Sequence, residues 1–134
     1  MKIVNIPNDI HTLTIKAKSF PQGIGEAHET IQRLFPYAKQ RRYFGMSSPE
    51  KGIIVYKAAT EQMSGDNDQA PGVEKFVIEK GDYISLTVTN FVKNPMAVSE
   101  AFEKLIHQPN IDPKGYCLEW YQNEKDVLCL VKMA

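Results

Sequence analysis

The stretch Tyr116-Cys117-Leu118-Glu119-Trp120-Tyr121 decides how this chain is read. Pro113 and Gly115 precede it, Gln122-Asn123 follows it, and aromatic and apolar residues fill it, so it is predicted to be a β-strand. Side chains alternate along a strand, which puts Leu118 and Trp120 on one face and Cys117, Glu119 and Tyr121 on the other. One carboxylate thus stands in the middle of an apolar strand with a phenol two residues on. A carboxylate taken out of water is costly unless it is paired or used, and Glu119 is therefore expected at the floor of a ligand cleft, with Trp120 packed beneath a helix.

Working outward, Gln122 to Lys125 is predicted to turn the chain into a second strand, Asp126 to Lys132, apolar on both faces. With a turn of that length, paired positions have an odd sum, Cys117 and Cys129 face opposite sides, and no disulfide joins them. Upstream, Asn94 and Pro95 are predicted to start a helix whose buried stripe is Val98, Ala101, Phe102, Leu105 and Ile106, ended by Pro109. Before it come the strands Val73–Ile78 and Tyr83–Thr89, around a turn at Glu79 to Asp82.

The first half follows the same order. Lys2–Ile6 and Ile10–Ala17 are predicted strands around Pro7-Asn8-Asp9. A helix over roughly residues 21–35 carries a stripe of Ile24, Ala27, His28, Ile31, Leu34 and Phe35, with Ser19 and Gln22 as a candidate capping box. Tyr43–Ser47 and Ile53–Ala59 are strands around a turn at residues 48–52. Residues 62–72 (QMSGDNDQAPG) have almost no apolar content and read as an exposed, mobile connector. Sliding the chain by about 74 positions superimposes the halves without a gap. Pro21 falls on Pro95, Glu26-Ala27-His28-Glu29 on Glu100-Ala101-Phe102-Glu103, and Ile10 on Ile84. The expectation is one domain over residues 1–134, made of pseudo-repeats at about 1–61 and 73–134 with 62–72 as linker. Its fold class is α+β: a tandem strand-helix-strand-strand module, a curved antiparallel sheet, both helices on one face, and a ligand cleft on the open face between modules. Gly45 then stands where the other half has Glu119, leaving room for a guest.

Composition narrows the function. Lysine plus arginine equal aspartate plus glutamate at 16 each, so no basic excess is available to neutralise phosphates, and direct nucleic-acid binding is not expected. No apolar run is long enough to span a bilayer and no signal core follows Met1, so a cytoplasmic protein with free thiols is expected. His11, His28 and His107 stand apart from any Cys, Asp or Glu at ligand spacing, so no metal is expected. Gly23-Ile24-Gly25 lacks the rest of a phosphate-binding motif, and no cofactor is assigned.

Four segments carry a resemblance that spans nearly the whole chain: Arg42-Tyr43-Phe44-Gly45-Met46-Ser47, Val55-Tyr56-Lys57-Ala58, Gly81 with Tyr83, and Leu118-Glu119-Trp120-Tyr121. Together they resemble the GyrI-like family, the small-molecule (effector) binding domain of bacterial multidrug-sensing transcription activators. The resemblance implies a cleft between tandem modules, Glu119 as its central acid, and Tyr121, Tyr56, Tyr43 and Tyr83 as aromatic walls around a hydrophobic, cationic or planar compound. It departs from the regulators in having no DNA-binding segment within these residues. The alternatives it leaves open are a hydrolase of reactive small molecules with Glu119 as general base, and a protein-interaction module of the gyrase-inhibiting kind. Without the resemblance, the favoured reading of Glu119 is a solvent-facing residue of a half-exposed strand or a partner of Arg42 on the neighbouring strand.

Overall fold

The computed structural model describes all residues, Met1–Ala134. Its elements are β1 (Lys2–Ile6), β2 (Ile10–Lys16), α1 (Ile24–Leu34), β3 (Tyr43–Glu50), β4 (Ile53–Glu61), β5 (Val73–Ile78), β6 (Gly81–Val88), α2 (Met96–Ile106), β7 (Cys117–Tyr121) and β8 (Val127–Lys132). All eight strands pair antiparallel, and with two helices the fold is α+β. The chain divides into two compact units: Met1–Asn8 with Lys80–Ala134, and Asp9–Glu79. The connector 62–72 therefore lies inside the second of these, and the chain passes between units at residues 8–9 and 79–80.

Within Asp9–Glu79 the strand order is β3-β4-β2-β5. The β3–β4 pairing runs out to Glu50 opposite Ile53, leaving a two-residue turn, Lys51-Gly52. Both turn residues have positive φ (52° and 82°), the conformation that matches the twist of the flanking strands and that glycine adopts without strain. β3 is thus longer than its sequence suggests. Helix α1 covers one face of this sheet, where Ala27, Ile31 and Phe35 pack on Leu13 and Ala58. Gly23 stands at its N-cap and no side chain caps it, so the expected Ser19–Gln22 box is not formed. A Cβ at Gly23 would meet the Ser19 carbonyl oxygen at 2.7 Å, a backbone approach that only glycine permits.

The connector is tied down and not a free linker. Asp66 accepts two hydrogen bonds from Arg41 (Nη1 to Oδ2 2.9 Å, Nη2 to Oδ1 2.8 Å), and both side chains are almost out of solvent. The Met63 N–H also donates to Asp66, and Lys75 pairs with Asp68 at 3.0 Å. Its polar composition provides these partners, which is why it reads as solvated and folds as a strap.

In the unit that joins Met1–Asn8 to Lys80–Ala134 the order is β1-β6-β8-β7. Ala101 and Leu105 of α2 pack on Val88, Val127, Cys129 and Val131. Pro95 occupies the N-cap without a side-chain cap; the Asn94 contribution is its carbonyl, which accepts from Ala97 N–H at 3.0 Å. The edge strands are exchanged relative to the chain order. β1 pairs with β6 and not with β2, and β5 pairs with β2. Buried hydroxyls fasten both: Ser85 donates to the Lys2 carbonyl (2.8 Å), and Thr12 and Thr14 donate to the Phe76 and Glu74 carbonyls (2.7 and 3.1 Å). These three side chains stay satisfied without water, so burying them carries no desolvation penalty left unpaired. Neither helix is long and apolar enough to cross a membrane.

Candidate functional site

The register of the β7–β8 hairpin sets the site. Tyr121 pairs with Val127 and Cys117 with Val131, so the turn takes Asp126 as well as residues 122–125. Asn123 builds it, its Oδ1 accepting from the N–H groups of Lys125 (2.7 Å) and Asp126 (2.9 Å). One added residue changes the parity of every pair. Cys117, Glu119 and Tyr121 consequently share a face with Val127, Cys129 and Val131, and that is the face on which α2 lies.

Two expectations are corrected by this. The cysteines lie on the same face; no disulfide joins them, since they are diagonal neighbours at a spacing of roughly 7–8 Å between Cα atoms, which exceeds what a disulfide spans. Glu119 belongs to the helix side of the sheet, while Leu118 and Trp120 belong to the other. α2 packs on β6 and β8, and Glu119 stands one strand further along the row Leu86–Cys129–Glu119. There it is half-buried, and the Tyr121 hydroxyl donates to its Oε1 at 2.5 Å. With the phenol as donor, the carboxylate is the acceptor. The Glu119 charge is felt across the row: burial first, then Glu119 and Cys117, push the Cys129 thiol up to about 12. Cys129 therefore stays a protonated core group and is no nucleophile. The Phe91 ring completes the group, 5.6 Å from the Tyr121 ring and tilted by 60°.

Tyr83 is not part of this arrangement. It pairs with Lys132, on the face of Leu118 and Leu130, is fully buried, and has its hydroxyl 3.3 Å from that of Tyr116. The remaining predicted residues lie in Asp9–Glu79. Tyr43 and Tyr56 are both on the α1 side of their sheet, with Gly45 ending the row Ile15–Ala58–Gly45 in the way that Glu119 ends its own. Tyr43 donates to the Phe35 carbonyl at 2.6 Å, closing the C-terminal end of α1. Tyr56 is buried, with its hydroxyl 2.8 Å from His28 Nε2 and its ring stacked 6.0 Å from Phe20. Burial lowers His28 from 6.5 to about 4, so its imidazole is neutral at pH 7. Arg42, weighed as a partner for Glu119, makes a two-point bond to Glu61 (2.9 and 2.8 Å).

Phe91 and Phe20 are the residues that sequence reasoning passed over, and His28, expected in the buried stripe of α1, was given no role there. Each of the two phenylalanines lies in the loop between a strand and a helix, upstream of a proline (Pro21 and Pro95), which is the signal that could have found them. A shallow depression along α2, bounded by Met1, Glu100, Glu103, Lys104, His107 and Gln108, contains none of these groups and lacks the aromatic enclosure of a small-molecule site. No group of His, Cys, Asp and Glu side chains is arranged to hold a metal.

The fold and this site define an antiparallel α+β domain with an acid–phenol pair beside an aromatic ring. Neither a family model nor a curated protein matches the sequence. Solved structures do match in three dimensions. An integron cassette protein from the mobile metagenome of Vibrio cholerae superimposes with a TM-score of 0.70 at 13% identity, covering 99% of this chain and 95% of that one. SAV2435, solved bound to tetraphenylphosphonium, gives 0.61 at 18% identity, with 98% and 93% covered. EcmrR, solved in a complex with DNA, gives 0.62 at 10% identity; the match takes in 99% of this chain and 57% of EcmrR. At these identities the likeness is one of fold.

Proposed function

We propose that this chain is a small-molecule-binding domain of the GyrI-like kind, acting in the cytoplasm, and that it takes a lipophilic cation with Glu119 as electrostatic anchor and Tyr121 as aromatic wall. The observation that carries this reading is the half-buried Glu119 carboxylate, held at one oxygen by the Tyr121 hydroxyl. A charge in a partly desolvated site attracts an opposite charge more strongly than it would in water, and the adjacent phenol ring offers a face to a cation or a planar group. The neighbour solved with tetraphenylphosphonium supports the choice of ligand class, since its bound compound is a cation wrapped in aromatic rings. The shared topology of the two units supports an origin by duplication. Their matched rows, with Gly45 and Glu119 at corresponding ends, would then have diverged in function, one side chain lost and the other turned into the anchor.

The test is a calorimetric titration with tetraphenylphosphonium and with neutral triphenylphosphine oxide, on the wild type and on Glu119→Gln. The wild type is expected to prefer the cation, and Glu119→Gln to weaken cation binding by about 10- to 100-fold while leaving the neutral compound within about two-fold, the loss of one charge-assisted contact. Equal binding of the cation by both proteins would remove Glu119 as the anchor. Conversion of an electrophilic ester by the wild type and not by Glu119→Gln would instead favour hydrolysis, with the same carboxylate as base.

A further inference from the structure

Phe91 is held over Tyr121 by the backbone of its own loop. Asn90 has a φ of 52°, which turns the chain out of β6. The Phe91 N–H then donates to the Lys125 carbonyl at 2.9 Å and the Asn90 N–H to Asp126 Oδ1 at 3.4 Å, latching the loop to the β7–β8 turn. The N–H groups of Lys93 and Asn94 fold back on the Asn90 carbonyl at 3.0 and 3.2 Å. A left-handed residue and bonds to two parts of the unit fix where the ring goes, and it goes onto the phenol that holds Glu119. Phe91, Tyr121 and Glu119 are all half-buried.

The other unit repeats the device with different residues. The loop between β2 and α1 places Phe20 on Tyr56, and the Tyr56 hydroxyl is bonded to an ionisable side chain, His28. Tyr56 and Tyr121 stand on different strands of their hairpins, so the two contacts are alike in kind without being copied position for position. Phe20 remains 43% exposed.

We infer that Phe91 is the specificity-determining residue of the Glu119 site, selecting cations that carry aromatic rings over aliphatic cations of the same charge. This rests on the reading of Glu119 as an anchor and adds the residue that chooses among cations. The carboxylate answers only to charge and cannot tell a phenyl group from a butyl group. A ring can, because its quadrupole favours offset and edge-to-face contact with another ring in a way that an aliphatic side chain of similar volume does not reproduce. Phe91 also packs against the α2 cluster, so its removal affects stability as well. The readout therefore has to be a ratio of affinities, which a purely structural role leaves unchanged.

Dissociation constants for tetraphenylphosphonium and tetrabutylphosphonium are measured on the wild type, Phe91→Leu, Phe91→Tyr and Glu119→Gln, with melting temperatures alongside. The wild type is expected to favour the phenyl cation. Phe91→Leu lowers that preference by about 3- to 10-fold, and Phe91→Tyr, which keeps a ring, retains it. Glu119→Gln weakens both cations alike. Should Phe91→Leu lose too much stability, Phe91→Met provides the same comparison. If the ring-free variants weaken both cations equally or neither, Phe91 only caps the core and the inference is overturned while the anchor stands. If the wild type binds neither cation, or Glu119→Gln changes nothing, the anchor fails first and takes the inference with it.

Discussion

Asp66→Ala is expected to destabilise the protein by about 3 kcal/mol, the low end of what is lost when one member of a buried ion pair is removed. The Arg41 and Asp66 side chains are 7% and 9% exposed, and Asp66 takes both Nη groups of the guanidinium. Arg41 hydrogen bonds hold the Asp66 carboxyl below its ordinary range. Without Asp66 the guanidinium keeps its charge, a 3.3 Å bond to the Glu61 carbonyl and its place 5.9 Å over the Phe35 ring, but loses its counter-charge. Its Nε already lacks a partner, so little is left to compensate. The strap 62–72 should loosen with it, and limited proteolysis is expected to cut the variant there and spare the wild type. Urea unfolding supplies the free energy. The double variant Arg41→Met with Asp66→Leu should recover most of the loss, because replacing both charges by apolar groups removes the stranded cation. A cost below about 1 kcal/mol for Asp66→Ala would mean that the pair behaves as a surface ion pair and does not hold the strap.

The same strap shows what was legible in the sequence. Polar composition gave its exposure correctly in outline, since Gly65, Asn67 and Gln69 are exposed. Composition could not show that Asp66 would meet an arginine 25 residues earlier in the chain. Elements whose pattern is local were readable: the Ala27–Ile31 and Ala101–Leu105 stripes predicted both helices, and alternation, apolar runs and flanking turn residues predicted all eight strands to within a few residues. Pairing between distant strands was not. Nothing in Lys2–Ile6 says that its partner is β6, because an alternating strand fits any neighbour of suitable polarity. The gapless slide holds for the helices and for Gly45 on Glu119 and slips by three residues at the other two strands of the row. It places Ala27 and Ile31 on Ala101 and Leu105, yet the row Ile15–Ala58 is matched by Leu86–Cys129, three residues short of it. The chain takes 12 positions from Ile15 to Ala27 but 15 from Leu86 to Ala101, and 13 from Gly45 to Ala58 but 10 from Glu119 to Cys129, so the loop before the helix and the following hairpin differ in length, and a slide cannot see that.

The site was half legible on the same grounds. Glu119 and Tyr121 are two apart on one strand, so their meeting follows from alternation alone, and the structure joins them. Which face they occupy depends on whether Asp126 belongs to the turn, and that is decided by two hydrogen bonds to Asn123 that no apolar pattern records. Tyr83, grouped with them by residue type, belongs to the opposite face by the same parity. Phe91 and His28 act through a loop conformation and a helix-to-strand contact, each a matter of three-dimensional placement.

His28 leads to the second large effect, a loss of stability on mild acidification. Its imidazole is neutral when folded because burial opposes the charged form, with its pKa lowered to about 4 from 6.5. Between these values the unfolded chain binds a proton that the folded chain does not, so unfolding takes up protons and stability falls as pH falls. The contribution is complete above pH 6.5 and is lost through the interval down to about 4, at roughly 1.4 kcal/mol per pH unit and about 3 kcal/mol in all. Glu61 and Asp66, held low by Arg42 and Arg41, also lose stability in acid, but only below their own ordinary range near 4.5 and 3.8. Urea unfolding at pH 6.5, 6.0 and 5.5 therefore isolates the histidine. His28→Gln, whose amide can still reach the Tyr56 hydroxyl, is expected to flatten the slope over that window and leave the fall below pH 4.5 in place. Tyr56→Phe should lower stability at every pH while keeping the slope, since it removes the partner and not the burial that excludes the proton. An identical slope in His28→Gln would place the acid sensitivity elsewhere. A flat wild-type profile would mean that the imidazole takes up its proton inside the folded chain, with α1 giving way around Tyr56 to admit water.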